Sequence, residues 1–264
     1  MVFEFYQLAA AVYLVAALAA ALGFTLSSGG LSRAAVAGLA VGAVVHALDF
    51  WQLHKGARTP PLTDLAYLVP FAVWSLTVFY LLLLARVRLI GLTVVIAPLA
   101  FVGTFVEFLG APAPPSGVEA ASPIWSHVHV LLSSAGLALL AVAGVAGALY
   151  LARHRTIKSK RPSAIQPPLP SLEALDRVNA LSLVIGFLLL SLGVATGMLW
   201  THTVDGRLWP STTHANATLV AWLVLAVLVA ARFGAGQGAR QSALSSMAGF
   251  ALMLLAVVGA GMLS

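Results

Sequence analysis

The sequence predicts an all-α protein, a polytopic membrane bundle of about eight transmembrane helices with both termini on the outer side. Three observations predict it. The 264 residues are 61% hydrophobic and only 8% charged, outside the range of an ordinary soluble domain. Apolar runs long enough to cross a bilayer, roughly 20 residues each, recur along the whole chain. The links between them are short, and only helices satisfy their own backbone hydrogen bonds in lipid with such links.

The spans fall near 5–27, 33–51, 62–84, 89–109, 125–151, 180–200, 214–232 and 243–262, one transmembrane domain over residues 1–264. Span 1 follows no basic segment and is expected to be an anchor rather than a cleaved signal peptide. In span 2, Gly38, Gly42 and His46 recur every four residues and Asp49 follows three later, so all four share a face. Gly38-x-x-x-Gly42 is a close-packing signature between membrane helices. Spans 3, 4 and 8 rest on apolar length alone. Between spans 4 and 5, Gly110-Ala-Pro-Ala-Pro-Pro-Ser-Gly reads as a stiff connector or lid.

Span 5 opens with His127 and His129, which point about 200° apart on a helix. His129 shares its stripe with Gly136 and Ala143, with Gly147 close by, so His129 is expected to face inward and His127 to be interfacial or loop-borne. The connection 152–179 is basic, then Pro-rich (Pro162, Pro167, Pro168, Pro170), which forbids a continuous helix. Ser171-Leu-Glu then offers an N-cap and an early acid. Span 6 carries a matching stripe of Gly186, Gly193, Gly197 and Trp200. The segment from Trp200 to Trp209 is expected to be a short outer loop. His214 opens span 7 at a depth matching His129, with Thr218 and Trp222 below it.

Orientation follows from the basic residues. One set of loops holds Arg33, Arg86, Arg88, Arg153, Arg155, Lys158, Lys160, Arg161, Arg177, Arg232 and Arg240; the other holds Lys55, Arg58 and Arg207. Cytoplasmic loops carry the excess, so both termini are expected outside. The net charge of +6 expresses this asymmetry and gives no support to nucleic-acid binding. Six of the seven histidines (His46, His54, His127, His129, His202, His214) then fall at the outer end of the spans. Polar groups at membrane depth are costly and usually face a bundle interior, so chemistry is expected in the outer half.

Three histidines from three helices, His46, His129 and His214, can ligate a metal or a metalloporphyrin. Asp49 is placed to accept the second ring proton of His46. The alternative for His46 is a purely structural hydrogen bond across helices. Trp51, Trp125 and Trp209 also fit as ordinary interfacial anchors. There is no His-Glu-x-x-His, and the absence of cysteine removes thiol chemistry. No Walker-type glycine loop appears, so ATP-driven transport by this chain is not expected.

The run from Leu169-Pro-Ser-Leu-Glu-Ala-Leu-Asp-Arg-Val-Asn to Ile185-Gly-Phe-Leu-Leu-Leu-Ser-Leu-Gly-Val-Ala-Thr-Gly-Met-Leu-Trp200 resembles the cytochrome c assembly protein family. So do Val45-His46-Ala-Leu, Trp125-Ser-His-Val-His129-Val-Leu-Leu-Ser-Ser-Ala-Gly and Ala221-Trp222-Leu-Val. The similarity is strongest to its HemX and YpjD-like branch, related to CcsA-type haem-handling proteins, and runs in order along nearly the full chain. The resemblance implies a haem-binding or haem-trafficking protein of a bacterial cytoplasmic (inner) membrane, multi-pass and not an enzyme. It implies axial ligands from His46, His129 and His214, with Trp200 and Trp209 lining the porphyrin. The implied partners are the lipid bilayer and other cytochrome c maturation or haem-biosynthesis proteins. Synthetase members carry a Trp-Gly-x-x-Trp-x-Trp-Asp-Pro segment. Here Arg207-Leu-Trp209-Pro-Ser-Thr-Thr-His214 keeps one tryptophan and lacks the Trp-Asp-Pro core. Two other readings stand beside this one: a divalent-metal permease using His46, Asp49, Glu107 and His129, and a cofactor-free regulatory membrane subunit.

Overall fold

The computed structural model describes residues 5–55, 65–85, 90–109, 124–158 and 170–262. Eight α-helices run through them: α1 (Phe5–Thr25), α2 (Gly29–Lys55), α3 (Leu65–Leu84), α4 (Thr93–Leu109), α5 (Ile124–Lys158), α6 (Leu172–Asp205), α7 (Thr213–Phe233) and α8 (Ala239–Met262). A 3₁₀ turn, Ile90–Leu92, leads into α4. The eight helices coincide with the eight expected spans. Among the described residues, six are long and apolar enough to cross a bilayer, and the apolar segments Val69–Leu84 and Ile90–Phe105 are shorter. The chain is a polytopic helical membrane protein.

Helices α1–α4 form one compact unit and α5–α8 another. In the first, α1 packs on α2 and α4, and α3 packs on α4. The small-residue face of α2 meets α1 as its spacing predicts. A methyl group on Gly38 would lie 3.0 Å from the Ala16 Cβ, and one on Gly42 would strike the Tyr13 ring at 2.5 Å. Both glycines are therefore needed for the helices to approach this closely.

In the second unit α5 lies against both α6 and α8, and α7 packs on α6 and α8. The two glycine stripes interlock. A Cβ on Gly136 would come within 2.9 Å of the Leu190 backbone nitrogen, and one on Gly186 within 3.1 Å of the Gly136 carbonyl oxygen. Below them Leu140, Ala143, Leu183, Leu190, Ala221, Leu225, Met253 and Ala256 form the buried apolar core.

The structure corrects the helix ends. Helix α5 has 35 residues and continues through Arg153 and Arg155 to Lys158, about 50 Å in all. Basic side chains in its last turn complement the negative end of the helix dipole, so the helix outlasts the apolar run. Ser171 caps α6 as expected, its hydroxyl accepting from the Ala174 amide at 3.2 Å. Helix α6 then runs unbroken for 34 residues, so the lead-in before span 6 is its first turns. At the other end α6 persists to Asp205, where Gly206 at φ +68° closes it by donating to the His202 carbonyl. The segment expected as a loop from Trp200 is therefore helical until that glycine. His127 is likewise helical, not loop-borne, because α5 has already begun at Ile124.

Candidate functional site

In the α5–α8 unit the histidine stripe of α5 meets the glycine stripe of α6. The His129 ring sits against Gly197, where an added Cβ would lie 2.9 Å from Nδ1 and 3.0 Å from Cε1. A side chain on Gly197 would occupy the ring's own space. Its Nδ1 lies 2.7 Å from the Gly193 carbonyl oxygen. A carbonyl can only accept, so Nδ1 carries the proton and the Nε2 lone pair is free to bind a metal. Trp200, one turn further along α6, brings its ring centroid to 5.9 Å from the imidazole.

His214 is exposed, in the first turn of α7. It is near enough to His129 for its imidazole to feel the charge of that ring. Trp209, in the link between α6 and α7, donates through Nε1 to Asn216 at 3.1 Å. His202 is exposed on α6, and His127 is half-buried on a different face of α5 from His129.

His46 stands in the other unit and is 0% exposed. The Phe50 ring stacks on it at 4.7 Å and Tyr13 meets it edge-on at 5.9 Å. Phe71 and Trp74 continue this aromatic wall from α3. Asp49 is buried one turn away, and its Oδ1 accepts from the Tyr6 amide at 3.0 Å. That bond satisfies a first-turn donor of α1 and places a negative charge at its positive end. The side chains of His54 and Glu107 lie outside the described residues.

Sequence reasoning thus selected His129 and its glycine seat, because both stripes are periodic. It missed Thr196, whose hydroxyl also donates to the Gly193 carbonyl, at 3.0 Å. Trp222, placed by its spacing below His214, donates to Ser191 at 3.0 Å and stacks on Phe187, contacts its spacing did not give. The buried Asn179 escaped notice too. Its Nδ2 donates to the Ala143 carbonyl at 2.8 Å, and its Oδ1 accepts from Ser242 and Ser246 at 3.0 and 3.2 Å. A polar residue in an apolar span was a signal for it.

In this membrane bundle α5 and α6 thus hold one imidazole by its Nδ1 against a glycine-cut helix face. Residues 62–264 match the sequence profile of the family described as cytochrome C assembly protein, and the chain belongs to that family. The CcsA cytochrome c biogenesis protein of Synechococcus sp. (strain JA-3-3Ab) is 26% identical over 77% of this chain and 75% of its own length. The CcsA of Prochlorococcus marinus (strain MIT 9303) is 31% identical over 34% of this chain, a match spanning 29% of that relative's length. Among solved structures, cytochrome c haem lyase CcmF superposes with a TM-score of 0.65 at 16% identity. That match covers 98% of this chain and 49% of CcmF, and it shows a shared helical fold.

Proposed function

We propose that this protein binds haem in the membrane during cytochrome c assembly and hands it on, with His129 as an axial ligand. One observation carries the reading: the 2.7 Å contact from His129 Nδ1 to the Gly193 carbonyl, which leaves Nε2 as the ligating atom. Ligating histidines characteristically donate their other ring proton to a carbonyl or carboxylate, which fixes the tautomer and ring plane. The cradle fits the role, since Gly197 gives up its side-chain volume to the ring.

His214, exposed and within electrostatic reach of His129, is the second ligand candidate in the same unit. Trp200 would line the porphyrin, while Trp209 packs at the rim beside Asn216. His46, with Asp49 one turn on, is the third candidate, held within the aromatic wall of the first unit. Haem, when bound, would supply a redox-active iron that takes imidazole ligands. The residues here hold and orient, and we assign no bond-breaking step to them. In our reading the chain falls in the HemX and YpjD-like branch, and the missing Trp-Asp-Pro core speaks against synthase activity. The same reading puts it in a bacterial inner membrane with its termini outside, serving other cytochrome c maturation proteins.

Among the described residues no group of three or more His, Asp or Glu side chains converges, and Glu107 of the permease reading lies outside them. The test is an absorption spectrum of protein purified with its haem or reloaded with haemin. Wild type should show a Soret band of low-spin haem. His129→Ala should lose haem or turn high-spin, and His127→Ala should change little. Equal, small effects of the two substitutions would remove His129 from the ligand set. Colourless protein that takes up zinc stoichiometrically would favour the permease.

A further inference from the structure

The Gly193 carbonyl is an unusually crowded acceptor. As an interior helix carbonyl it takes the amide of the residue four positions on. It also takes the His129 Nδ1–H at 2.7 Å and the Thr196 hydroxyl at 3.0 Å. The Thr196 proton is shared, because the same hydroxyl lies 2.9 Å from the Leu192 carbonyl. Back-bonding of this kind is ordinary for threonines in membrane helices, and Thr25, Thr77, Thr104 and Thr218 all show it here. What sets Thr196 apart is its acceptor, which also holds an imidazole from another helix. Thr196 is buried beside it.

We propose that Thr196 and Gly197 are positioning residues for His129. Gly197 keeps the ring in its seat, and Thr196 sets how strongly the Gly193 carbonyl pulls on the Nδ1 proton. The chemistry follows from competition for one oxygen. Each further donor draws electron density from the carbonyl and weakens its bond to the next. Removing the Thr196 hydroxyl therefore leaves a stronger acceptor for Nδ1–H. The imidazole gains anionic character and becomes a better electron donor through Nε2, which lowers the reduction potential of an iron bound there. A methyl group at position 197 acts in the opposite sense, pushing the ring from the carbonyl and releasing the tautomer.

This inference rests on the haem reading for its purpose but not for its geometry, so the test has two parts. In haem-free, detergent-solubilised full-length protein with ¹⁵N-labelled histidine, NMR reads the His129 tautomer and the Nδ1 proton directly. Wild type should be protonated at Nδ1. Thr196→Val should shift that proton downfield, Thr196→Ser should restore the wild-type position, and Gly197→Ala should lose the fixed tautomer. An unmoved Nδ1 proton in Thr196→Val overturns the proposal, even if Gly197→Ala fails to fold. In haemin-loaded protein, Thr196→Val should lower the midpoint potential and Thr196→Ser should not. If the NMR shifts appear but wild type takes up no haemin, the seat stands and the haem reading falls. If haemin binds through His129 and neither the proton nor the potential responds to Thr196→Val, the seat falls and the haem reading stands.

Discussion

The two ends of the α5–α8 unit use the same materials, close-packed small residues and a few polar side chains, to opposite effect. At the end where α6 begins, Asn179 binds the Ala143 carbonyl, Ser242 and Ser246, so one amide ties three helices. Beside it Arg232 holds both oxygens of Asp176 at 2.8 and 2.9 Å and donates to the Gln237 carbonyl at 2.7 Å. Each of these groups is engaged with protein. Eighteen positions further along α6, about 27 Å by helix rise, Gly197 opens a notch for the His129 ring. There, among the described residues, the imidazole is fixed through Nδ1. Polar atoms that face each other hold a bundle together, whereas a donor atom fixed in direction with no protein partner is available for a ligand. Asn179 knits α5, α6 and α8 at one end, and at the other the His129 bond to the Gly193 carbonyl joins α5 to α6 through one ring nitrogen.

The largest test of that contrast is Asn179→Leu. It removes three buried hydrogen bonds, each about 0.6 kcal/mol and at most about 1.7 in membrane bundles. The expected cost is about 2 kcal/mol of stability, read as a lower thermal midpoint in detergent. The haem spectrum should be unchanged in the folded fraction. Loss of haem from well-folded Asn179→Leu would mean that the two ends are not separate in function. A smaller effect is expected of Asp176→Asn, which weakens a partly exposed ion pair. Its side chain is 29% exposed against 14% for Arg232, so the loss should stay under about 1 kcal/mol. Here too the spectrum should not move.

Much of this was legible in the sequence, for identifiable reasons. All eight helices were, because apolar length is a direct record of bilayer thickness. The packing of His129 toward α6 and of His127 on another face of α5 was, because residues two apart on a helix oppose each other and Gly136 marks the packed side. The face of α2 that meets α1 was, through Gly38 and Gly42. Helix ends were not: Lys158 and Asp205 lie beyond the apolar runs, where caps and the helix dipole decide. Contacts between distant helices were hidden as well. Asn179 finds Ser242 and Ser246 only because of how α6 and α8 are rotated, and no periodicity within either helix records that. Asp49 looked like a partner for His46; the bond its carboxylate accepts from the Tyr6 amide of α1, 43 residues away, was not legible.

The central claim, that His129 is a ligand rather than a strut, is tested most directly by rescue of a His129→Gly variant with free imidazole. The truncated site keeps the Gly193 carbonyl and the Gly197 notch, so added imidazole has a seat that aims its second nitrogen as His129 does. The account predicts that haemin-loaded His129→Gly is high-spin or depleted in haem and that millimolar imidazole restores the wild-type low-spin spectrum. A variant whose spectrum already matches wild type without imidazole would contradict it.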